Sequence, residues 1–539
     1  MSKHEGFHLP KRLWVTLSFA MMFLLGVPIW WKSTEIYRAE LPYEEIEHWN
    51  ERKAYDEPFR VMLDLYVPPS WNNENSKSIL SNALREYETQ SSEALYAIHY
   101  QSSLFPMSDL SPLSEYSCDA VHGRIEQMNP TNNGRYAFVS VPVDATQNLP
   151  KFTICPTRVV LMRMEKDSNT QESENWLRSV AEIAARKLIS SPNTEDKDRK
   201  KIQSNSAFRL TFSLLQDTAG WDQPITTWDF PYYANGLLES FLTQIRATAD
   251  VQVDSQIKFF VPLQRTPLEG DNYHYFTSSM LPHILAHPNE WNSDFTATTE
   301  PSLHFIVYVP PVAYTPLVLQ DDPDEDISMS SQAYIIPQTG GVVIYNRVDN
   351  GTNPFLSKDM MHDVIEIFVA QLRELFGISP LYDLSQLSEK SIEMIPSPFG
   401  ISQWERDQLL RERTYENLHL ATVNLHSLSE MVQKLTNMMI SDELQATVIE
   451  SLAALSTSHE AIREGNYELA QEQSKLAMHK AHEAFFDPDM LSLLYFPDEH
   501  KFAIYTPLFL PISIPMFLKL VSETKRLRKK RAESKKKKE

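Results

Sequence analysis

The chain has 539 residues, a net charge of −21 and only 13 glycines against 34 prolines. An acidity of this size argues against a nucleic-acid partner, whose phosphates call for clustered Lys and Arg. Scarce glycine leaves little for phosphate-cradling loops, and no GxGxxG, P-loop or GxSxG pattern occurs.

The first element is an uncharged run of 19 residues from Leu13 to Trp31, preceded by Lys11 and Arg12 and followed by Lys32. As a helix it measures roughly 28 Å, close to the hydrocarbon thickness of a bilayer. It leaves through Val27, Pro28, Ile29, Trp30 and Trp31. Bulky residues there suit a signal peptidase poorly, whereas Trp30 and Trp31 suit the membrane interface. The run therefore reads as a retained anchor rather than a cleaved signal.

Residues 32–400 read as a mixed α/β region, one body or two subdomains. Short β-branched or aromatic runs bounded by Pro, Asn or Asp predict strands at Phe59 to Val67, Tyr136 to Val143, Arg158 to Met164, Phe208 to Leu215, Ser255 to Leu263, Leu303 to Pro310 and Gly341 to Asn346. Helical patterns at Glu174 to Ile189, Tyr233 to Ala249 and Ser357 to Phe376 predict a sheet covered by helices. Residues 320–328, "QDDPDEDIS", read as an acidic surface loop.

Residues 401–501 change character. Leu418, Ala421, Leu425, Leu428, Val432, Leu435 and Met439 alternate spacings of three and four, a seam for a neighbouring helix. A second helix starts at Ser441-Asp442, carries Leu444, Val448, Leu452 and Leu455, and ends at Gly465-Asn466; a third runs from Tyr467 to Phe486. These stripes predict a helical hairpin or bundle leading back to the membrane.

A second apolar run covers 502–521, interrupted by Lys519, with Pro507, Pro511 and Pro515 every fourth residue. Such prolines would kink a helix in water, and in a membrane neighbouring helices can satisfy the freed carbonyls. The tail 522–539 holds ten Lys or Arg against three Glu. By the positive-inside rule this tail is cytosolic, residues 1–12 are then cytosolic as well, and the body lies across the membrane. Lys536 and Lys537, fourth and third from the end, resemble an endoplasmic reticulum (ER) retrieval dilysine; attraction of the basic run to anionic lipid is a compatible reading.

Chemistry-bearing patterns are few. Cys118 and Cys155 are the two cysteines, and on an oxidising side of the membrane they are candidates for a disulfide worth about 2 to 4 kcal/mol. Cys118 with His122 one turn on would be a thiolate–imidazole pair, but no surrounding motif supports it. None of the 16 histidines forms HExxH, and no zinc or calcium pattern emerges, so no metal or cofactor is expected. One glycosylation acceptor, Asn350-Gly351-Thr352, follows a predicted strand.

The wording of the chain carries more than its patterns. The stretches "LGVPIWWKSTEIYRAELPY" (25–43), "TFSLL" (211–215), "VDSQI" (253–257), "FVAQLRELFGI" (368–378) and "AFFDPDMLSLLYFPDEHKFAIYTPLFLP" (484–511) resemble PIG-S, a family of subunits of the glycosylphosphatidylinositol (GPI) transamidase. The region from about Tyr66 to Asn205 carries the fewest matches. The resemblance implies an ER membrane complex that replaces the C-terminal signal of a proprotein with a GPI lipid. In that family the cysteine-protease chemistry belongs to a separate PIG-K subunit, with PIG-T, PIG-U and Gaa-type subunits alongside. It further implies a non-catalytic scaffold and a glycan near Asn350, leaving open direct contact with the proprotein tail or the GPI lipid. The other readings are a membrane-anchored lumenal hydrolase or transferase, and an ER cargo receptor or chaperone.

Overall fold

A computed structural model describes residues 11–34, 37–52, 57–90, 96–110, 117–128, 134–143, 152–165, 170–189, 202, 207–284, 301–320, 332–348, 352–356, 358–378, 392–435, 438–488 and 498–536. The chain divides into two compact units. One holds residues 1–48, 423–450 and 480–539; the other holds 49–422 and 451–479.

The chain enters through helix α1 (Lys11–Thr34) and, after a short extended stretch, α2 (Tyr43–Arg52). The first sheet is then built from β1 (Phe59–Val67), α3 (Glu74–Gln90), β2 (Ile98–Pro106), α4 (Cys118–Met128), β3 (Arg135–Val143), β4 (Phe152–Ile154), β5 (Val159–Glu165) and α5 (Thr170–Glu182). Its strand order is β4-β5-β3-β1-β2. All neighbours are parallel except the β4–β5 hairpin.

The chain then repeats itself. A second sheet uses β6 (Ala207–Gln216), α6 (Phe230–Ala234), α7 (Leu237–Ile245), β7 (Asp250–Phe259), the short β8 (Leu268–Glu269) and β9 (His274–Phe276), β10 (Ser302–Val309), β11 (Leu317–Leu319), β12 (Gln332–Ile336), β13 (Gly340–Ile344) and α8 (Lys358–Leu375). The order β12-β13-β10-β6-β7, again parallel but for one hairpin, matches the first sheet strand for strand. β8, β9 and β11 form a small separate sheet, and β14 (Ile392–Met394) adds to the edge of the first sheet beside β4.

Alternation along each strand explains the layers. In β3, Tyr136 and Phe138 enter the core under α3 and α5, while Ala137 and Val139 face the α4 side. In β6, Phe208, Leu210, Phe212 and Leu214 pack under α7 and α8, with Leu215 on the opposite face. Both faces are covered, as parallel sheets require, which is why these strands read as nearly continuous apolar runs.

The remaining chain is helical: α9 (Gln403–Lys434), α10 (Asp442–Glu464), α11 (Tyr467–Phe485) and α12 (Asp498–Lys536). Leu418, Ala421, Leu425, Leu428 and Val432 are buried, as the seam predicts. Leu435 is exposed beyond the helix end and Met439 half-buried, so the seam stops at Val432. Ser441 caps α10, its hydroxyl accepting from the Leu444 amide at 3.0 Å.

Several boundaries differ from those expected. The strand predicted at Ser255 to Leu263 begins five residues earlier, at Asp250, because its N-terminal half is polar and lies on a sheet edge. The helix predicted over Tyr233 to Ala249 breaks at Asn235-Gly236 into α6 and α7. At the prolines of the second apolar run the helix is not interrupted: α12 continues through Pro507, Pro511 and Pro515 into the basic tail.

Candidate functional site

Cys118 opens α4, where the Ser117 hydroxyl accepts from the Ala120 amide at 3.4 Å. It is bonded to Cys155, at the end of β4, with a Cα–Cα separation of 5.7 Å. The bridge thus ties α4 to the β4–β5 hairpin inside the core beneath that helix. With its sulfur in the disulfide, Cys118 offers no thiolate to His122, which sits half-buried one turn on with Nδ1 enclosed and unbonded.

The strongest concentration of buried charge lies elsewhere, on the first turns of α9. Ser402 and Glu405 form a capping box: the Glu405 carboxylate accepts from the Ser402 amide and hydroxyl at 2.7 and 2.9 Å. Arg373 of α8 pairs with the same Glu405. Two residues further, Asp407 receives a two-pronged bond from Arg158 at 2.6 and 2.7 Å and the Tyr136 hydroxyl at 3.0 Å. Arg411 donates to the Tyr136 oxygen at 3.0 Å and stands over the Tyr467 ring at 5.4 Å. Trp404 stacks on Tyr136 at 4.6 Å and donates to the Cys155 carbonyl at 3.1 Å.

Electrostatics in this seam favours fixed charge over proton transfer. Burial opposes the Arg158 cation, but Asp407 outweighs it and holds the guanidinium above its ordinary value. Burial, then the Asp407 charge, push the Tyr136 phenol well above its usual range, so it stays a donor. Arg413 adds bonds to the carbonyls of Ile202 and Phe376 at 3.2 and 3.3 Å. α9 therefore grips the first sheet through Trp404, Asp407 and Arg411, and the core and helix α8 of the second half through Leu409, Glu405 and Arg413.

In open α/β sheets ligands settle at the carboxyl ends of the strands, where the crossover direction reverses. In the second sheet that place lies between β6 and β10, and the chain itself fills it. The Val312 amide donates to the Ala219 carbonyl at 3.1 Å, and Trp221 Nε1 to the Pro310 carbonyl at 2.9 Å. Arg347 covers the Trp221 ring at 4.9 Å and bonds the Gln223 and Asn353 carbonyls. Among the described residues no group of three His, Cys, Asp or Glu is placed to hold a metal ion.

At the ends of the chain, α1 and α12 pack against each other. Among the described residues, Ala503–Arg526 of α12 is the segment long and apolar enough to cross a membrane, and none of it is buried by the protein. Trp30 and Trp31 fall within α1, with their side chains outside the described residues. Lys536 ends α12, while Lys537 and Asn350 lie outside the described residues. Beyond α1 the chain forms a bridge between Arg38 and Ile440, the Ala39 amide donating to the Ile440 carbonyl at 3.0 Å. Leu41 is buried there, and the Ile46 amide bonds the Pro42 carbonyl at 3.1 Å, so Pro42-Tyr43 is the start of α2.

Comparison with known proteins decides the family. The model of the family described as "Phosphatidylinositol-glycan biosynthesis class S protein" (PIG-S) matches residues 17–530. The chain belongs to the PIG-S family. It is similar to the GPI-anchor transamidase component PIGS of Homo sapiens, 29% identical over 93% of this chain and 93% of that protein. The Bos taurus protein of the same name is 30% identical, covering 93% of this chain and 92% of its own length. A PIG-S homolog of Schizosaccharomyces pombe, a GPI transamidase component, is 25% identical over 96% of this chain and 84% of that protein.

Sequence patterns missed the α9 seam because Asp407 and Arg411 look like the solvated face of an amphipathic helix. The one available signal was four-residue spacing of Asp407 and Arg411 in a stretch that also carries Trp404 and two leucines, 409 and 410.

Proposed function

We propose that this PIG-S family member is a non-catalytic subunit of the GPI transamidase, holding the complex together in the ER membrane while another chain cuts the proprotein and attaches the lipid. The observation that carries this reading is the match to the family over residues 17–530, reaching both helical ends and the α/β region between them. The seam on α9 supports a scaffold role, since its charges are committed to joining two sheets rather than turned toward a cleft. In this reading α1 and α12 both cross the bilayer, the basic end of α12 and residues 1–12 are cytosolic, and the sheets are lumenal. Lys536 and Lys537 then serve retrieval, Asn350 carries a glycan, and Trp30 and Trp31 mark the interface. The partners are subunits of PIG-K, PIG-T, PIG-U and Gaa type.

The thiolate–imidazole reading of Cys118 and His122 has no thiol to draw on, since Cys118 is bonded to Cys155. Cells without this protein are expected to lose GPI-anchored proteins from the surface while still making the complete lipid; normal surface display refutes the reading. A variant with both Cys118 and His122 replaced by alanine restores attachment once assembled, whereas an assembled but inactive variant returns a chemical role to that pair.

A further inference from the structure

The prolines of α12 leave a line of backbone acceptors on one side of the helix. A proline has no N–H, so Pro507, Pro511 and Pro515 cannot bond the carbonyls of Ala503, Pro507 and Pro511, four residues back. At 100° per residue those three oxygens fall within a narrow stripe. α1 does not cover it. Between Ala503 and Leu520 the residues of α12 that lose exposure are Tyr505, Phe509, Ser513, Met516 and Leu520, which form a stripe on nearly the opposite side. On that other side the helix even supplies a surplus donor, the Ser513 hydroxyl bonding the Phe509 carbonyl at 2.8 Å. On the proline side Ile504, Ile514 and Leu518 stand exposed at 50%, 48% and 63%.

Hydrocarbon offers no donor to an open carbonyl, and the backbone amides of a neighbouring helix are already used within that helix. Side-chain donors of a neighbouring helix are one means by which such acceptors are satisfied in a membrane, and the exposed proline face leaves room for them. We propose that the proline face of α12 is a docking surface for a membrane-spanning helix of another subunit, one that presents hydroxyl or amide side chains to the carbonyls of Ala503, Pro507 and Pro511. The proposal rests on α12 crossing the bilayer as part of a membrane complex, as inferred above. The prolines gain a role here beyond shape: they open acceptors in a span whose apolar side chains have no polar group to offer.

The test uses the full chain in its complex, purified in mild detergent, with a benzophenone amino acid at Ile514 or Leu518 on the proline face, or at Phe509 on the α1 face. Light is expected to join positions 514 and 518 to a membrane-spanning segment of another transamidase subunit that contains Ser, Thr, Asn or Gln, and position 509 to α1. Changing all three prolines to leucine restores the N–H groups and is expected to lower the intersubunit adduct about tenfold; Pro511→Ala alone, a milder change, is expected to lower it about threefold. Adducts with lipid alone, adducts with a segment lacking donors, or yields unchanged in both variants overturn the proposal. A protease-accessible tag at each end of α12 separates the two readings. If both tags lie on one side, the spanning arrangement fails and docking with it; if they lie on opposite sides and 514 and 518 meet only lipid, docking alone fails.

Discussion

Gly340 stands at φ +147°, and a Cβ there would overlap the His304 carbonyl on the neighbouring strand. At Gly341 the same addition would strike the Gln371 amide, whose nitrogen bonds the Tyr334 and Val342 carbonyls at 3.1 and 3.2 Å. Two of the chain's 13 glycines are thus used where β13 meets β10 on one side and α8 on the other. His304, buried on β10 beside this contact, has its pKa lowered to about 4 by burial. Its folded pKa lies below the unfolded value of 6.5, so above that value the group contributes nothing to the pH dependence. As pH falls toward 4 the unfolded chain takes up a proton that the folded chain refuses, and stability drops by about 3 kcal/mol. Denaturant titrations at pH 7 and pH 5 should show about 2 kcal/mol of this loss, and His304→Gln should reduce it; an unchanged pH slope in that variant rules His304 out as the source.

At the scale of elements, α9 decides how the sheets are held. Removing the carboxylate in Asp407→Ala leaves Arg158 buried without its two-pronged partner, and is expected to cost about 3 to 5 kcal/mol. Replacing both members, Arg158→Met with Asp407→Leu, should recover most of that, because the expense lies in the stranded charge rather than in a missing attraction. Thermal melts of the two variants compare them directly, and equal losses would contradict this account. The disulfide acts locally by comparison: Cys118→Ser with Cys155→Ser is expected to cost about 2 to 4 kcal/mol. Loosening should centre on α4 and the β4–β5 hairpin, detectable by hydrogen exchange of those segments.

Over the whole molecule the main organising fact is the repeated five-strand topology, with the corresponding helices α3 and α7 following the first strand and α5 and α8 following the last. Because α9 bonds to the first sheet and to α8 beside the second, the Asp407→Ala change should raise amide exchange in β1 and β3 and in β6 and β10 together. Loss confined to the first sheet would mean that the two open independently.

The chain's own residues determined a good deal. The strands at 59–67 and near 208–215 and 303–310, the long helices 403–434 and 442–464, and the apolar C-terminal helix follow from local periodicity and side-chain type, which act over a few residues. β2 and α3 escaped notice because β2 alternates Gln and Ser with apolar residues at a sheet edge and α3 is largely polar. The sheet repeat, the closure of the β6–β10 crevice by Trp221, and the joining of the two halves by α9 were decided by tertiary structure alone. Each depends on pairing groups far apart in sequence, Arg158 with Asp407 and Trp221 with Pro310 among them, and such pairing leaves no period for a sequence to display.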